Sequence, residues 1–250
     1  MGKPGRRALA DLLPGLREEH QPDWVVVNGE NAAGGLGITE RIAREFLDEL
    51  EVDVVTLGNH AYRHRDVYEF LDRDERIVRP ANYPKGNPGR GWTVVEKDGS
   101  RLAVANLLGT VFVDAARSPF AEADAVLAEL RGKADHVLMD FHAEATSEKV
   151  AMGWHVDGRA TACVGTHTHV PTADARVLPG GTAYISDVGM TGGRGGVIGV
   201  KRENALERFL TLTNVRFETS EEDPWVNAVL IEGGADGLAT SIEQLLVPAG

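Results

Sequence analysis

Seven side chains able to hold a metal ion or move a proton stand at the ends of four apolar runs. Val25-Val26-Val27 leads into Asn28-Gly29-Glu30-Asn31, and Val54-Val55-Thr56-Leu57 leads into Gly58-Asn59-His60. Val137-Leu138-Met139 leads into Asp140-Phe141-His142, and Ala162-Cys163-Val164 into Gly165-Thr166-His167-Thr168-His169. In extended backbone, residues i and i+2 point to the same side, so His167 and His169 can serve one site. Each ending also has a plain structural reading: Glu30-Asn31 as a helix cap or solvated loop, Gly58-Asn59 as a turn pair, His142 as a core histidine. Four such endings together point to a metal site. In open α/β sheets, ligands bind just beyond the carboxyl ends of strands. The donors are carboxylate, amide and imidazole, with no thiolate, which excludes a structural zinc cage. Mixed N/O ligation suits iron or manganese, with zinc compatible, and one carboxylate can bridge two cations in a hydrolytic two-metal centre. The glycines at 29, 58 and 165 fit tight turns or close backbone approach.

The elements that must position these groups follow from periodicity. Helices are expected over residues 6–18 (stripe Ala8, Leu12, Leu13, Leu16), 39–50 with Thr39 as N-cap, 65–71, 119–130 and 201–210. Strands are expected over 24–27, 52–57, 136–140, 160–164 and 182–185, with hairpins pairing 92–96 to 101–107 around Asp98-Gly99 and 226–231 to 240–247. Residues 80–88 read as a loop. Early βα alternation with later hairpins argues for an α/β fold with antiparallel additions. No internal repeat and no low-complexity linker interrupts the chain, and one domain over residues 1–250 is expected.

Composition bounds the function. The 250 residues carry 42% apolar and 26% charged side chains, which describes a globular chain with a sizeable core. The net charge of -12, without a basic stripe, excludes a nucleic-acid duplex as partner. An anionic substrate then needs local positive charge, which bound metals supply. No apolar run spans a membrane, and the basic start Met1-Gly2-Lys3-Pro4-Gly5-Arg6-Arg7 lacks the core of a secretion signal. Cys163 is the only cysteine, so no internal disulfide forms. Its apolar neighbours point to a buried thiol, and a cytoplasmic location is expected. Assembly with further copies of the chain is left open.

The order Gly-Glu-Asn, Gly-Asn-His, His, Gly-Thr-His-Thr-His resembles the calcineurin-like metallophosphoesterase superfamily. Within it, Asn28-Gly29-Glu30-Asn31-Ala32-Ala33, Arg79-Pro80-Ala81-Asn82-Tyr83, the run from Asp140 through Glu148, Gly165-Thr166-His167-Thr168-His169-Val170 and Asp187-Val188-Gly189-Met190-Thr191-Gly192 resemble the bacterial YmdB-type branch. The resemblance runs over nearly the whole chain. It implies two packed mixed β-sheets flanked by helices, an α/β/β/α sandwich. It also implies phosphodiesterase activity on 2′,3′-cyclic nucleotides such as 2′,3′-cAMP, with two divalent or trivalent metal ions activating a water. By resemblance, Glu30 bridges the metals, Asn59, His142 and His167 complete the second metal's shell, His169 binds the first with Asn31 close by, and His60 is the catalytic histidine.

The family pattern begins with a short strand ending in a Gly-Asp ligand, whereas this chain starts in the loop after it. The expectation is a missing first strand, explained by a mis-assigned start, with an exposed sheet edge and a first metal held mainly by Glu30 and His169. A metal-dependent amidohydrolase also uses His-x-His, but early in a barrel rather than at 167 and 169. A non-catalytic metal-binding scaffold and a phosphomonoesterase of the same superfamily are the alternatives. Arg79, Asn82, Thr110 and Glu144 are expected either to touch substrate or to order loops.

Overall fold

The computed structural model describes residues 1–113 and 117–250. Helix α1 (Gly2–His20) precedes β1 (Val26–Asn28), α2 (Glu40–Arg44), β2 (Val54–Thr56), α3 (Tyr68–Arg73) and β3 (Ile77–Val78). These three strands form a parallel sheet in the order β1-β2-β3. Thr39 caps α2 as expected, its hydroxyl accepting from the Ile42 amide at 3.4 Å. The expected single helix over 39–50 instead widens into a π-turn at Glu45–Glu49.

A second sheet follows. It is built from β4 (Trp92–Lys97), β5 (Ser100–Leu108), β6 (His136–His142), β7 (Ala162–Thr166), β8 (Arg176–Val177) and β9 (Ala183–Ile185), in the order β4-β5-β6-β7-β9-β8. Its centre is parallel and its two edges antiparallel. Helices α4 (Pro119–Leu130) and α5 (Thr146–Val156) cover its outer face. A short β10 (Gly192–Gly193), α6 (Arg202–Thr211) and the hairpin β11 (Pro224–Gly233) and β12 (Ala239–Pro248) complete the chain. The hairpin packs on the second sheet through Ala239, Ile231 and Ile242 against Ala162 and Ala183.

Layering follows from which faces are apolar. Ile42, Phe46, Phe70 and Leu71 bring α2, its π-turn and α3 onto the outer face of the first sheet, and Leu9 and Leu13 join α1, which packs along β10 and β11, to the same core. Ala123, Val126, Leu130, Met152 and Val156 bring α4 and α5 onto the second. Between the sheets, Val54 and Val78 meet Leu102, Val104 and Leu138. The result is the expected α/β/β/α sandwich, with the first sheet parallel and the second mixed. Strand β1 is an edge among the described residues, and its Val26 and Val27 are only half-buried.

Helix α5 is absent from the sequence-based expectation, and its burial explains why. Its inward positions include Glu148 and Lys149 beside Met152, Gly153 and Val156, so no apolar stripe marks it.

Candidate metal centre

The two sheets meet with their carboxyl ends side by side. From the first come Glu30 and Asn31 after β1, and Asn59 and His60 after β2. From the second come His142, the last residue of β6, and His167 and His169 after β7. All seven sequence-derived candidates therefore gather at one place. Gly58 is required there, because a Cβ on it would lie 2.4 Å from the His142 ring. Gly165 is likewise forced, since its Cβ would strike the Ser186 carbonyl.

Beneath the candidates, one buried carboxylate ties the sheets together. Asp140 Oδ2 accepts from Thr56 Oγ1 at 2.5 Å and from Asn28 Nδ2 at 2.9 Å, and its Oδ1 accepts from Thr166 Oγ1 at 2.6 Å. Burial raises the Asp140 pKa, while the three side-chain donors oppose that shift.

The side chains above this network present acceptors to one another. Because the Thr166 hydroxyl donates to Asp140, it accepts from His142 Nδ1–H at 2.9 Å, which leaves the lone pair on His142 Nε2. That lone pair lies 3.1 Å from Asn59 Oδ1 and 3.6 Å from Glu30 Oε1. His167 Nε2 pairs with Glu144 at 3.0 Å, turning Nδ1 toward His142 Nε2, also at 3.0 Å. His169 Nδ1 donates to the Ile198 carbonyl at 2.9 Å, leaving Nε2 bare. Turning the Asn31 amide so that Nδ2 donates to the Gly35 carbonyl at 2.9 Å leaves Oδ1 facing the bare His169 Nε2 at 3.0 Å, a further pair of acceptors. Glu30 is buried, and its Oε2 has no hydrogen-bond partner.

Oxygen and nitrogen lone pairs aimed at each other, around a buried carboxylate with an orphaned oxygen, are what cations satisfy. The residues present therefore fit metal ions. Among the described residues no three His, Cys, Asp or Glu side chains form a ready cage by themselves; the amide oxygens of Asn59 and Asn31 are part of the set. Burial holds His142 well below the ordinary histidine pKa, and lowers His167 and His169 as well, so the imidazoles stay neutral and free to coordinate. Burial raises the pKa of Glu30, against hydrogen bonds from His60. His60 sits between the two groups of donors, its Nδ1 3.2 Å from Glu30 Oε1 and 3.0 Å from the Asn31 side chain.

The loop carrying the paired histidines is strained and clamped. His167 and His169 take positive φ, 107° and 67°, a region that side-chain-bearing residues avoid. From α5, Lys149 Nζ donates to the Thr166 carbonyl at 2.8 Å and to Asp187 Oδ2 at 2.5 Å, both side chains being buried. Asp187 also accepts from the Thr168 amide at 3.0 Å and the Gly189 amide at 2.8 Å. Thr166, Lys149 and Asp187 are the positioning residues that periodicity does not reveal. Asp187 lies in a quoted motif, yet nothing local marks it as the partner of Lys149.

The residues left open between substrate and loop also find their places. Arg79 is buried and donates to the carbonyls of Pro80 at 2.8 Å and Gly89 at 3.0 Å, so it orders the 80–89 loop. Asn82 and Thr110 hold the segment after β5. Glu144 faces the site through His167.

The sandwich fold is shared with a solved nucleotidase. The Haemophilus influenzae NAD nucleotidase superposes with a TM-score of 0.56 over 96% of this chain and 49% of that one, at 12% identity, a likeness of fold alone. The YmdB-like protein family matches residues 1–245, and the chain belongs to that family. The 2′,3′-cyclic-nucleotide 2′-phosphodiesterase of Bacillus subtilis (strain 168) is 44% identical over 248 residues, covering 99% of this chain and 94% of that protein. The crystal structure of a novel phosphatase from Mycoplasma pneumoniae superposes with a TM-score of 0.91 at 35% identity, covering 99% of this chain and 90% of that one.

Proposed function

We propose that the chain is a metal-dependent phosphodiesterase that opens 2′,3′-cyclic nucleotides such as 2′,3′-cAMP. Its family and its phosphodiesterase and phosphatase relatives make it a phosphoric ester hydrolase. The substrate, the metals and the residue roles are the proposal. The observation that carries it is the set of acceptors converging without protons: His142 Nε2, Asn59 Oδ1 and the unpartnered Glu30 Oε2.

Glu30, Asn59, His142 and His167 would hold one ion, and Glu30, Asn31 and His169 the other. Iron or manganese is the assignment, with zinc compatible with the same donors. When bound, such ions supply a water of lowered pKa and positive charge against the phosphate oxygens. His60, half-exposed beside Glu30 and Asn31, gives its proton to the departing ribose 2′-oxygen as water adds to phosphorus. The product is a nucleoside 3′-phosphate.

Among the described residues no helix is long and apolar enough to cross a membrane. A cytoplasmic location belongs to the reading, supported by the proposed nucleotide substrate and by the single cysteine of the sequence. Assembly with a second copy also belongs to it. What supports that is α6, which buries only Ala205 and exposes Leu206, Phe209 and Leu210. Sedimentation of the pure protein tests it.

The deciding experiment is a turnover screen of metal-replete protein on 2′,3′-cAMP, 3′,5′-cAMP and a generic aryl phosphodiester, with metal analysis of the same sample. Preference for 2′,3′-cAMP and release of the 3′-phosphate are expected. Bound metal with no turnover of any phosphodiester would make the chain a metal-binding scaffold instead.

A further inference from the structure

We propose that Phe112 is the platform on which the substrate's nucleobase stacks, and so a specificity-determining residue. This rests on the cyclic-nucleotide reading and deepens it.

The segment that carries Phe112 leaves the second sheet beside the metal centre. Leu108, at the end of β5, is the register partner of His142, and the Gly109 amide donates to the His142 carbonyl at 3.0 Å. Only glycine fits at 109, since a Cβ there would lie 2.5 Å from Glu148 Oε2 and 2.6 Å from Ala143 Cβ. Phe112 lies four residues beyond Leu108, the last residue of β5, and so within about 14 Å of the sheet end at full extension. The proposal sets its ring against a ligand seated over His142 and His167.

Two buried polar side chains, neither among the proposed metal ligands, hold this segment in place. Asn82, fully buried, accepts from the Leu108 amide at 2.9 Å and donates to the Leu108 carbonyl at 2.7 Å and the Arg117 carbonyl at 3.1 Å, tying both stems. Glu148, from α5, accepts from the Thr110 amide at 2.9 Å, the Thr110 hydroxyl at 2.8 Å and the Val111 amide at 3.3 Å. Motifs that the metal centre leaves unused, around Asn82 and Glu148, thus converge on one short loop.

What that loop displays is an aromatic ring in water. Phe112 is 89% exposed and takes φ of 62°. An exposed phenyl forgoes the burial that favours it elsewhere, and a left-handed backbone on a side-chain-bearing residue is strained. Strain and exposure held in place by buried hydrogen bonds fit a surface kept ready for a flat ligand. A phenyl ring recognises any base through its π-face, so the platform selects for a nucleoside without selecting which one.

The test compares 2′,3′-cAMP with ribose 2′,3′-cyclic phosphate, which carries the same reacting ring and no base, on metal-replete enzyme. Phe112→Ala should raise KM for 2′,3′-cAMP about 10–100-fold with kcat held. The same variant should leave both parameters for the base-free probe unchanged, and Phe112→Trp should restore the wild-type KM. Equal effects on the two probes, or none on either, would overturn the platform. Failure of the wild-type enzyme to turn over either probe would sink the cyclic-nucleotide reading and the platform with it, an outcome visible before any variant is made.

Discussion

The Thr166 hydroxyl sets which nitrogen His142 offers to the site. Its single proton goes to Asp140 Oδ1 at 2.6 Å, so toward His142 Nδ1, at 2.9 Å, it acts as an acceptor. The imidazole must then carry its proton on Nδ1 and its lone pair on Nε2, the atom facing Asn59 and Glu30. A carboxylate in one sheet, itself held by Thr56 and Asn28 of the other, thus reaches the proposed metal through one hydroxyl and one ring.

Removing that hydroxyl tests the relay. Thr166→Val keeps the volume of the side chain and loses the acceptor. Metal affinity, measured by titration calorimetry, should fall about 10–100-fold, as when other partners of metal-binding histidines are removed. Unchanged affinity would show that the Asp140 network serves the fold alone.

The buried pair under the histidine loop makes a second prediction. Lys149→Met leaves the Asp187 carboxylate buried without its cation and should cost about 3–5 kcal/mol in denaturant unfolding. Lys149→Met with Asp187→Leu should recover much of that stability, because an apolar pair replaces an ion pair. Metal affinity should stay low in the double variant, since Thr168 loses the acceptor that holds the strained loop. Recovery of both properties would separate the pair from the site.

His60 is proposed to move a proton without joining the ligand shell. His60→Ala should lower kcat by about 10²–10⁴-fold with metal content near that of the wild type. Loss of metal together with activity would move His60 into the ligand set.

The metal-stripped protein should lose stability as pH falls below neutrality. Burial lowers the pKa of His142, His167 and His169 from an ordinary 6.5. Their contribution is complete above the unfolded value and is lost as pH drops from 6.5 toward the depressed folded values. Glu30 acts in the opposite sense: its raised pKa makes its ionised form destabilising above the unfolded value of 4.5, and protonation relieves this. Asp140, also raised by burial, acts with Glu30, and the buried Met1 amine, lowered from 8.0 to about 5, acts with the histidines; four basic groups against two carboxylates leave a falling midpoint between about pH 7 and pH 5. Glu30→Gln in the stripped protein should melt no lower than wild type, while failing to retain metal. A melting temperature flat across that window would contradict the buried, neutral histidines.

Much of this molecule was legible in its sequence because the signals are local. Thr39 announced a helix start through its spacing to Ile42, and the apolar runs ending at residues 27, 57, 139 and 164 announced strands with functional residues after them. The hairpin around Asp98-Gly99 needed only its turn. Helix α5 was not legible, because Glu148 and Lys149 occupy positions where periodicity expects apolar side chains. They are buried only because Thr110, Asp187 and the Thr166 carbonyl meet them there, and those partners lie far along the chain.

The sequence alone determined the chemical types present: one carboxylate, two amides and imidazoles at strand ends, with a single cysteine and a strongly acidic surface. Tertiary structure decided what those types can do. Packing two sheets with their carboxyl ends together brought Glu30 within 3.6 Å of His142 across 112 positions of chain. It also fixed tautomers through Asp140 and Ile198, and forced His167 and His169 into positive φ over a buried ion pair. Hydrogen bonds and ion pairs act over a few ångströms in space, whatever the separation in sequence, so these relations exist only once the fold has closed.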